Sequence, residues 1–166
     1  HRFDLSDLPR LAIPHQRILL SEQGQCKAVN AAVATTNSQW IMISNDDMVY
    51  SKNWFASLIN EMGNPICVSP KLVEPKPGAP TFEVYFCGGA GGDFDYGKWE
   101  DFVRNYKGSG WRTGFNLHFL MRRDLWNTIS GYDINYDPWG SNSDSDLEYK
   151  VKLAGVQPMQ NTDSIV

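Results

Sequence analysis

The sequence predicts a layered α/β domain, and three observations carry that prediction. Short apolar runs that read as strands, such as Trp40-Ile41-Met42-Ile43 and Ile66-Cys67-Val68-Ser69, alternate with segments of helical periodicity. At 166 residues, with 42% hydrophobic and 20% charged residues, the chain suits one domain with its own core. Acidic clusters stand where elements meet: Ser44-Asn45-Asp46-Asp47 directly after a strand, and Ser143-Asp144-Ser145-Asp146 at the start of the last helical pattern. Open α/β sheets bind ligands at the C-terminal edges of their strands, so the first cluster marks a candidate site.

Element by element, residues 1 to 17, with Pro9 and Pro14, read as loop with one short helix, and Ile18-Leu19-Leu20 as a short strand. Gly24 precedes a run from Cys26 to Thr35 rich in Ala and Val, a helix buried against a sheet. The strand 40 to 43 follows. Ser51 is the candidate N-cap of a helix from Lys52 to Met62, with Trp54, Phe55, Leu58, Ile59 and Met62 at the 3.6 period and Gly63 as its stop. After the strand at Ile66, Pro70, Pro75, Pro77, Gly78 and Pro80 mark a loop that leads to a strand from Phe82 to Cys87. The glycine run 88 to 92 is a connection within the domain. Tyr96 to Tyr106 is a helix with Trp99, Phe102, Val103 and Tyr106 on one face. Phe115 to Met121 is a strand, and Arg123 to Ile129 a short helix ended by Gly131. The stretch from Tyr132 to Asn142 is irregular. The last helix runs from Asp144 to Ala154, with Ser143 as N-cap, Asp146 at the third position and Gly155 past its end.

A net charge of -4 argues against a nucleic-acid binder, which needs a basic face, and an anionic ligand would draw on a metal for much of its positive charge. Cys26, Cys67 and Cys87 form no CxxC pair and are odd in number, which points to a reduced compartment rather than a disulfide framework. No stretch has the ~18 apolar residues of a membrane span. The chain opens at His1 and stops at Val166 just after an apparent strand, as a fragment or excised domain would.

Asn45-Asp46-Asp47 sets an amide and two carboxylates on successive residues, oxygen donors of the kind Mn²⁺ or Mg²⁺ accepts alongside a substrate diphosphate. Turns and helix caps use the same residue types. Ser143 and Asp146 are explained by capping, which leaves Asp144 available as a general base that the helix N-terminus would keep ionised. Asp133 to Asp144 imitates a calcium loop, but Pro138 stands where glycine is required, so that reading is rejected. The glycines 88 to 92 lack the Lys-Ser/Thr of a phosphate loop. Cys26 beside Lys27 reads as a core cysteine, and His15 and His118 receive no role. Trp111, Trp139 and Tyr136 are candidates for stacking on sugar rings, with core packing the plainer account of each.

Taken in order, four segments resemble the catalytic domain of inverting family 2 glycosyltransferases of the GT-A fold. They are Gly24-Gln25-Cys26-Lys27-Ala28-Val29-Asn30, Ser44-Asn45-Asp46-Asp47 as a DxD variant beginning with Asn, Gly131-Tyr132-Asp133, and Ser143-Asp144-Ser145-Asp146-Leu147 as the family's Glu-Asp motif followed by Asp-Leu. The resemblance covers about residues 18 to 157. It implies a three-layer α/β/α sandwich with a mixed, mostly parallel sheet, and a single domain over 1–166 that lacks the family's opening nucleotide-binding β-α units.

The resemblance further implies a metal-dependent transferase that moves a sugar from a nucleotide-diphosphate donor to an acceptor hydroxyl with inversion. Asn45, Asp46 and Asp47 would bind the donor, Asp47 would hold Mn²⁺ or Mg²⁺, and Asp144 would be the catalytic base. Trp111, Trp139 and Asp146 would be sugar or acceptor contacts. The acceptor would be a glycan, lipid or protein, and the setting cytoplasmic or at the cytoplasmic face of a membrane through other parts of the parent protein. Ser143 departs from the family's usual Glu, and the Gln160 to Asp163 region lacks a histidine often found there as a further metal ligand. These departures motivate an alternative, a non-catalytic carbohydrate- or partner-binding module on the same fold. A nucleotidyltransferase on a similar sheet is a third option.

Overall fold

Three of the strands run the same way, as alternating strands and helices require, and the rest of the sheet is built around them. The computed structural model of the chain describes residues 21, 23–45, 47–59, 66–74, 83–88 and 94–166. Helix α1 (Gln25–Ala34) leads into β1 (Trp40–Ile43), and α2 (Trp54–Ile59) into β2 (Cys67–Lys71). Two short strands follow, β3 (Val73–Glu74) and β4 (Glu83–Val84), then α3 (Tyr96–Asn105) and β5 (Trp111–Thr113). The chain continues through β6 (Phe119–Arg122), α4 (Arg123–Thr128), a 3₁₀ turn at Ile134–Tyr136, α5 (Ser143–Leu153) and β7 (Met159–Ile165). The strand expected at 18 to 20, the end of the helix expected to reach Met62, Phe82, and glycines 89 to 92 lie outside the described residues.

The main sheet has the order β1-β6-β2-β7-β5, and β3 pairs with β4 apart from it. β6 is antiparallel to both β1 and β2, β2 is parallel to β7, and β5 is antiparallel to β7. The sheet is therefore mixed, but the expected parallel majority is not found among the described residues. β1, β2 and β7 share a direction, yet β6 inserts between β1 and β2 against both, so two parallel neighbours become two antiparallel pairings. That insertion fixes the site, because Ile43 pairs with Phe119 and the residue entering β6 lands beside the residue leaving β1.

Side-chain alternation along the strands divides the core. Ile41, Cys67, Phe119 and Met121 pack with Cys26 and Val33 of α1, Leu125 and Trp126 of α4, and Leu147 and Val151 of α5. The neighbouring positions Val68 and Leu120 pack instead with Leu58 of α2. A third cluster joins Cys87, Trp99 and Ile165, with Phe102, Val103 and Tyr106 of α3 against it. The three cysteines are buried and free of disulfides, and burial pushes the Cys67 thiol up to about 12.

Two cap assignments change. α2 begins at Trp54 rather than Lys52, and Ser51, which is buried, accepts the Trp54 N–H through its backbone carbonyl at 3.1 Å. In α5 the cap position is Asn142, in the left-handed region at φ 65, and Ser143 is inside the helix and buried. With its hydroxyl facing the Cys26 thiol, Ser143 has been drawn into the core. α3 keeps a side-chain cap: the Asp95 carboxylate accepts the Lys98 N–H at 3.0 Å.

Candidate functional site

The first cluster leaves β1 at the sheet edge where β2 also ends. Ser44, Asn45 and Asp47 are exposed, and Asp46 lies outside the described residues. Asn45 and Asp47 share an open depression of about 440 Å³ with Ile43, Ser44, and Gln25 and Val29 of α1. Beneath it sits a residue with no signal in the sequence. His118 is fully buried, and its Nδ1 lies 3.2 Å from the Ser44 hydroxyl, which also meets the Tyr50 hydroxyl. Burial lowers the His118 pKa, against the opposing charge of Asp47, so the imidazole is neutral at physiological pH. The ring and both hydroxyls brace the turn that carries Asn45 and Asp47.

The other three segments are tied directly to one another. Asn30 of α1 forms a reciprocal pair with the Tyr132 backbone: its Nδ2 donates to the Tyr132 carbonyl at 2.8 Å and its Oδ1 accepts the Tyr132 N–H at 3.0 Å. The Tyr132 hydroxyl then donates to Asp144 Oδ1 at 2.9 Å. Gly131 makes the turn possible. It has φ +60, and a Cβ there would stand 2.7 Å from both Asn30 Oδ1 and the Trp126 ring. Helix, turn and acidic helix are thus one hydrogen-bonded unit.

Asp137 completes the unit from the irregular stretch. α1 has no side-chain cap of its own, and Asp137 supplies one from more than a hundred residues away, accepting the Cys26 and Lys27 N–H groups at 2.8 and 3.0 Å. Gly24 leaves room for it, since a Cβ there would lie 2.5 Å from Asp137 Oδ2. These two amides are already taken by a carboxylate, so they do not cradle a donor phosphate. Replacing Asp137 with Ala is expected to cost about 1–2 kcal/mol of stability, read by urea unfolding. An unchanged midpoint would mean that the cap contributes nothing.

Asp47 shares a depression with Gln25 and Val29 of α1, and Asp144 is joined to the same helix through Tyr132 and Asn30. The charge of Asp144 helps raise the thiol pKa of Cys26. Burial is the larger cause of that rise, which makes Cys26 a core thiol rather than an activated one.

A family model for glycosyl transferase family 2 matches residues 14–125, more than half of the chain. The chain belongs to glycosyl transferase family 2. No curated protein and no solved structure matches it. The fold of this family is the GT-A type of α/β fold, with which the mixed sheet and its helices agree. The matched stretch contains α1 and the Asn45 to Asp47 cluster and ends before Tyr132, Asp137 and Asp144, whose link to it is the hydrogen bonding described above. No helix among the described residues is long and apolar enough to cross a membrane.

In this family 2 domain, the Asp144 carboxyl is held above the usual carboxylate range, because burial outweighs the Tyr132 hydroxyl bond that favours the charged form. A carboxylate with a raised pKa is a stronger proton acceptor.

The remaining candidates fall in different surroundings. Asp146 is bound to Lys150 at 2.9 Å, and Lys150 Nζ also donates to the Gly131 carbonyl at 3.3 Å, so the pair fastens α5 to the glycine turn. Trp111 of β5 is half-buried and packs beside the Leu58, Val68 and Leu120 cluster. Trp139 is 76% exposed on the loop just before α5. Tyr136 is half-buried against the larger core cluster.

Among the described residues, no group of three or more His, Cys, Asp and Glu side chains could hold a metal. The donor set around Asp47 nevertheless suits a family 2 metal. An exposed carboxylate beside an amide fits Mg²⁺ or Mn²⁺, which take one or two protein carboxylates and complete their shell with waters and substrate phosphates.

Proposed function

We propose that this domain is a metal-dependent inverting glycosyltransferase that uses a nucleotide-diphosphate sugar, with Asp144 as its general base. The observation that carries the reading is the Asn30–Tyr132–Asp144 chain of hydrogen bonds, which ties a partly buried, proton-seeking carboxylate to α1. We read the helices on both faces as the outer layers of an α/β/α sandwich, and residues 1–166 as one catalytic domain. A cytoplasmic setting belongs to the same reading.

Asp47 would hold Mn²⁺ or Mg²⁺, with Asn45 and Asp46 toward the ribose and diphosphate of the donor. Bound there, the cation would neutralise charge that develops on the departing diphosphate. Asp144 accepts the proton of the acceptor hydroxyl. The freed oxygen attacks the anomeric carbon from the face opposite the diphosphate. The bond from that carbon to the phosphate oxygen breaks, and the nucleoside diphosphate leaves with the electron pair. One displacement inverts the configuration. Tyr132 orients the base, and His118 with Ser44 and Tyr50 steadies the turn that bears Asp47.

The test is product analysis with nucleotide sugars, Mn²⁺ and candidate acceptors. Release of nucleoside diphosphate that EDTA abolishes, with an inverted anomer by NMR, is expected. Pyrophosphate release would identify a nucleotidyltransferase, and glycan affinity without metal-dependent nucleotide affinity would identify a binding module. Either result ends the proposal.

Tyr132→Phe gives a narrower test of the base. The lost hydrogen bond favours the charged carboxylate, so its removal lets the Asp144 pKa rise further. Activity needs the deprotonated form and falls as pH drops through that pKa, so the acid limb of the rate profile should move to higher pH. An acid limb that stays in place would dissociate Tyr132 from the base.

A further inference from the structure

A second cavity lies apart from the depression beside Asp47. It has a volume of about 640 Å³, within the range of small-molecule sites, and opens beside the end of β2, the middle of β5 and β7, and along α3. Its lining includes three cations, Lys71, Lys107 and Arg112, in a chain whose net charge is -4. Lys71 is only 5% exposed, so a charged side chain has been brought into the wall of the cavity itself. Arg112 is aimed by a scaffold. Its Nε donates to Gln160 Oε1 at 2.7 Å, and Gln160, fully buried, is fixed in turn by its Nε2 bond to the Pro70 carbonyl at 3.1 Å. Among the described lining residues the acid is Asp101, and it is bound to Arg104 at 2.8 Å, which tempers its opposition to an anion.

The same lining carries aromatic rings. Tyr85 and Phe102 are stacked with ring centres 4.5 Å apart, and Tyr106 continues the surface at 5.3 Å from Phe102. Aromatic faces suit the C–H surface of a pyranose, and a guanidinium and ammonium groups suit a carboxylate or phosphate. An anion and a ring are therefore recognised side by side.

We propose that this cavity binds an anionic saccharide, a sugar unit that bears a carboxylate or phosphate, and that this unit belongs to the acceptor. The binding stands on the cavity alone; its assignment to the acceptor rests on the transferase reading. Location favours the acceptor over the donor. β5, which carries Arg112, is four positions from β1 in the sheet, or roughly 19 Å at the usual strand spacing, so one phosphate group cannot sit at both Asp47 and Arg112.

Calorimetry on the whole chain tests this with four probes: a glucuronate-containing disaccharide, glucose 6-phosphate, neutral cellobiose, and UDP with Mn²⁺. At least one acidic sugar should bind at least tenfold more tightly than cellobiose, lose affinity with added salt, and bind undiminished in the presence of UDP and Mn²⁺. Lys107→Gln, an exposed position, should weaken acidic-sugar binding about fivefold and leave UDP binding unchanged. Tyr85→Ala should weaken it while the salt dependence persists. Equal affinity for acidic and neutral sugars, no sugar binding, or indifference to both variants would overturn the cavity assignment. Competition between UDP and the acidic sugar would overturn the acceptor assignment. Failure of UDP to bind with Mn²⁺ would count against the transferase reading and leave the sugar result to stand by itself.

Discussion

Asp144→Asn is expected to reduce sugar transfer by about 10²–10⁴-fold, the usual contribution of a positioned general base, or about 3–5 kcal/mol of barrier. The substitution keeps an oxygen that can accept from the Tyr132 hydroxyl, so the local packing should survive. Stability gives a second reading with an opposite sign. Burial raises the Asp144 pKa, so the folded state favours the protonated acid. That stabilisation is fully present below the unfolded carboxylate pKa and is lost as pH rises through the folded value. At neutral pH the buried charge is a burden, and Asn removes it. The variant should then melt no lower than the parent at pH 7–8, with any advantage vanishing in acid. Full activity in a folded variant would remove Asp144 from the mechanism. A lost activity that merely tracks a lower melting temperature would make it a structural residue.

Asp47→Asn should be nearly as costly for turnover, about 10²–10³-fold, the scale seen when one group that stabilises developing charge is removed. Its effect on folding should be small, within about 0.5 kcal/mol, because the side chain is exposed. The discriminating measurement is UDP affinity with and without Mn²⁺. In the parent chain the metal should tighten binding, and in the variant the two titrations should converge. A variant that retains the full Mn²⁺ effect would show that the cation is held elsewhere.

What could be read in the sequence depended on whether a signal was local. α1, α3, α5 and β1 were predicted to within about two residues because apolar period, small-residue runs and caps are properties of neighbouring positions. β5 was missed: Trp111–Thr113 is three residues long between Gly110 and Gly114, too short for alternation to register. The direction of β6 is set by which strands it enters between, and no local pattern encodes that. Among candidate site residues, Asp144 stands out in the sequence as a candidate from its place at a helix start, but the direction of its pKa shift does not, since burial comes from packing against distant segments. Asp137 was passed over as loop. A faint signal existed, because a helix opening on Gly24 without a polar cap must find acceptors elsewhere. His118 gave no signal at all, since only the pairing of Ile43 with Phe119 brings it under Ser44.

The place of β7 has a consequence for how the protein is made. It is the last strand in sequence yet an interior one, filling the space between β2 and β5, and Val166 bonds back to Lys71 and Val73 on either side. During synthesis the ribosome must therefore release nearly all of these residues before β2 and β5 can be bridged. Until then each keeps an unpaired edge open to other chains. Folding should be limited by this late, long-range closure.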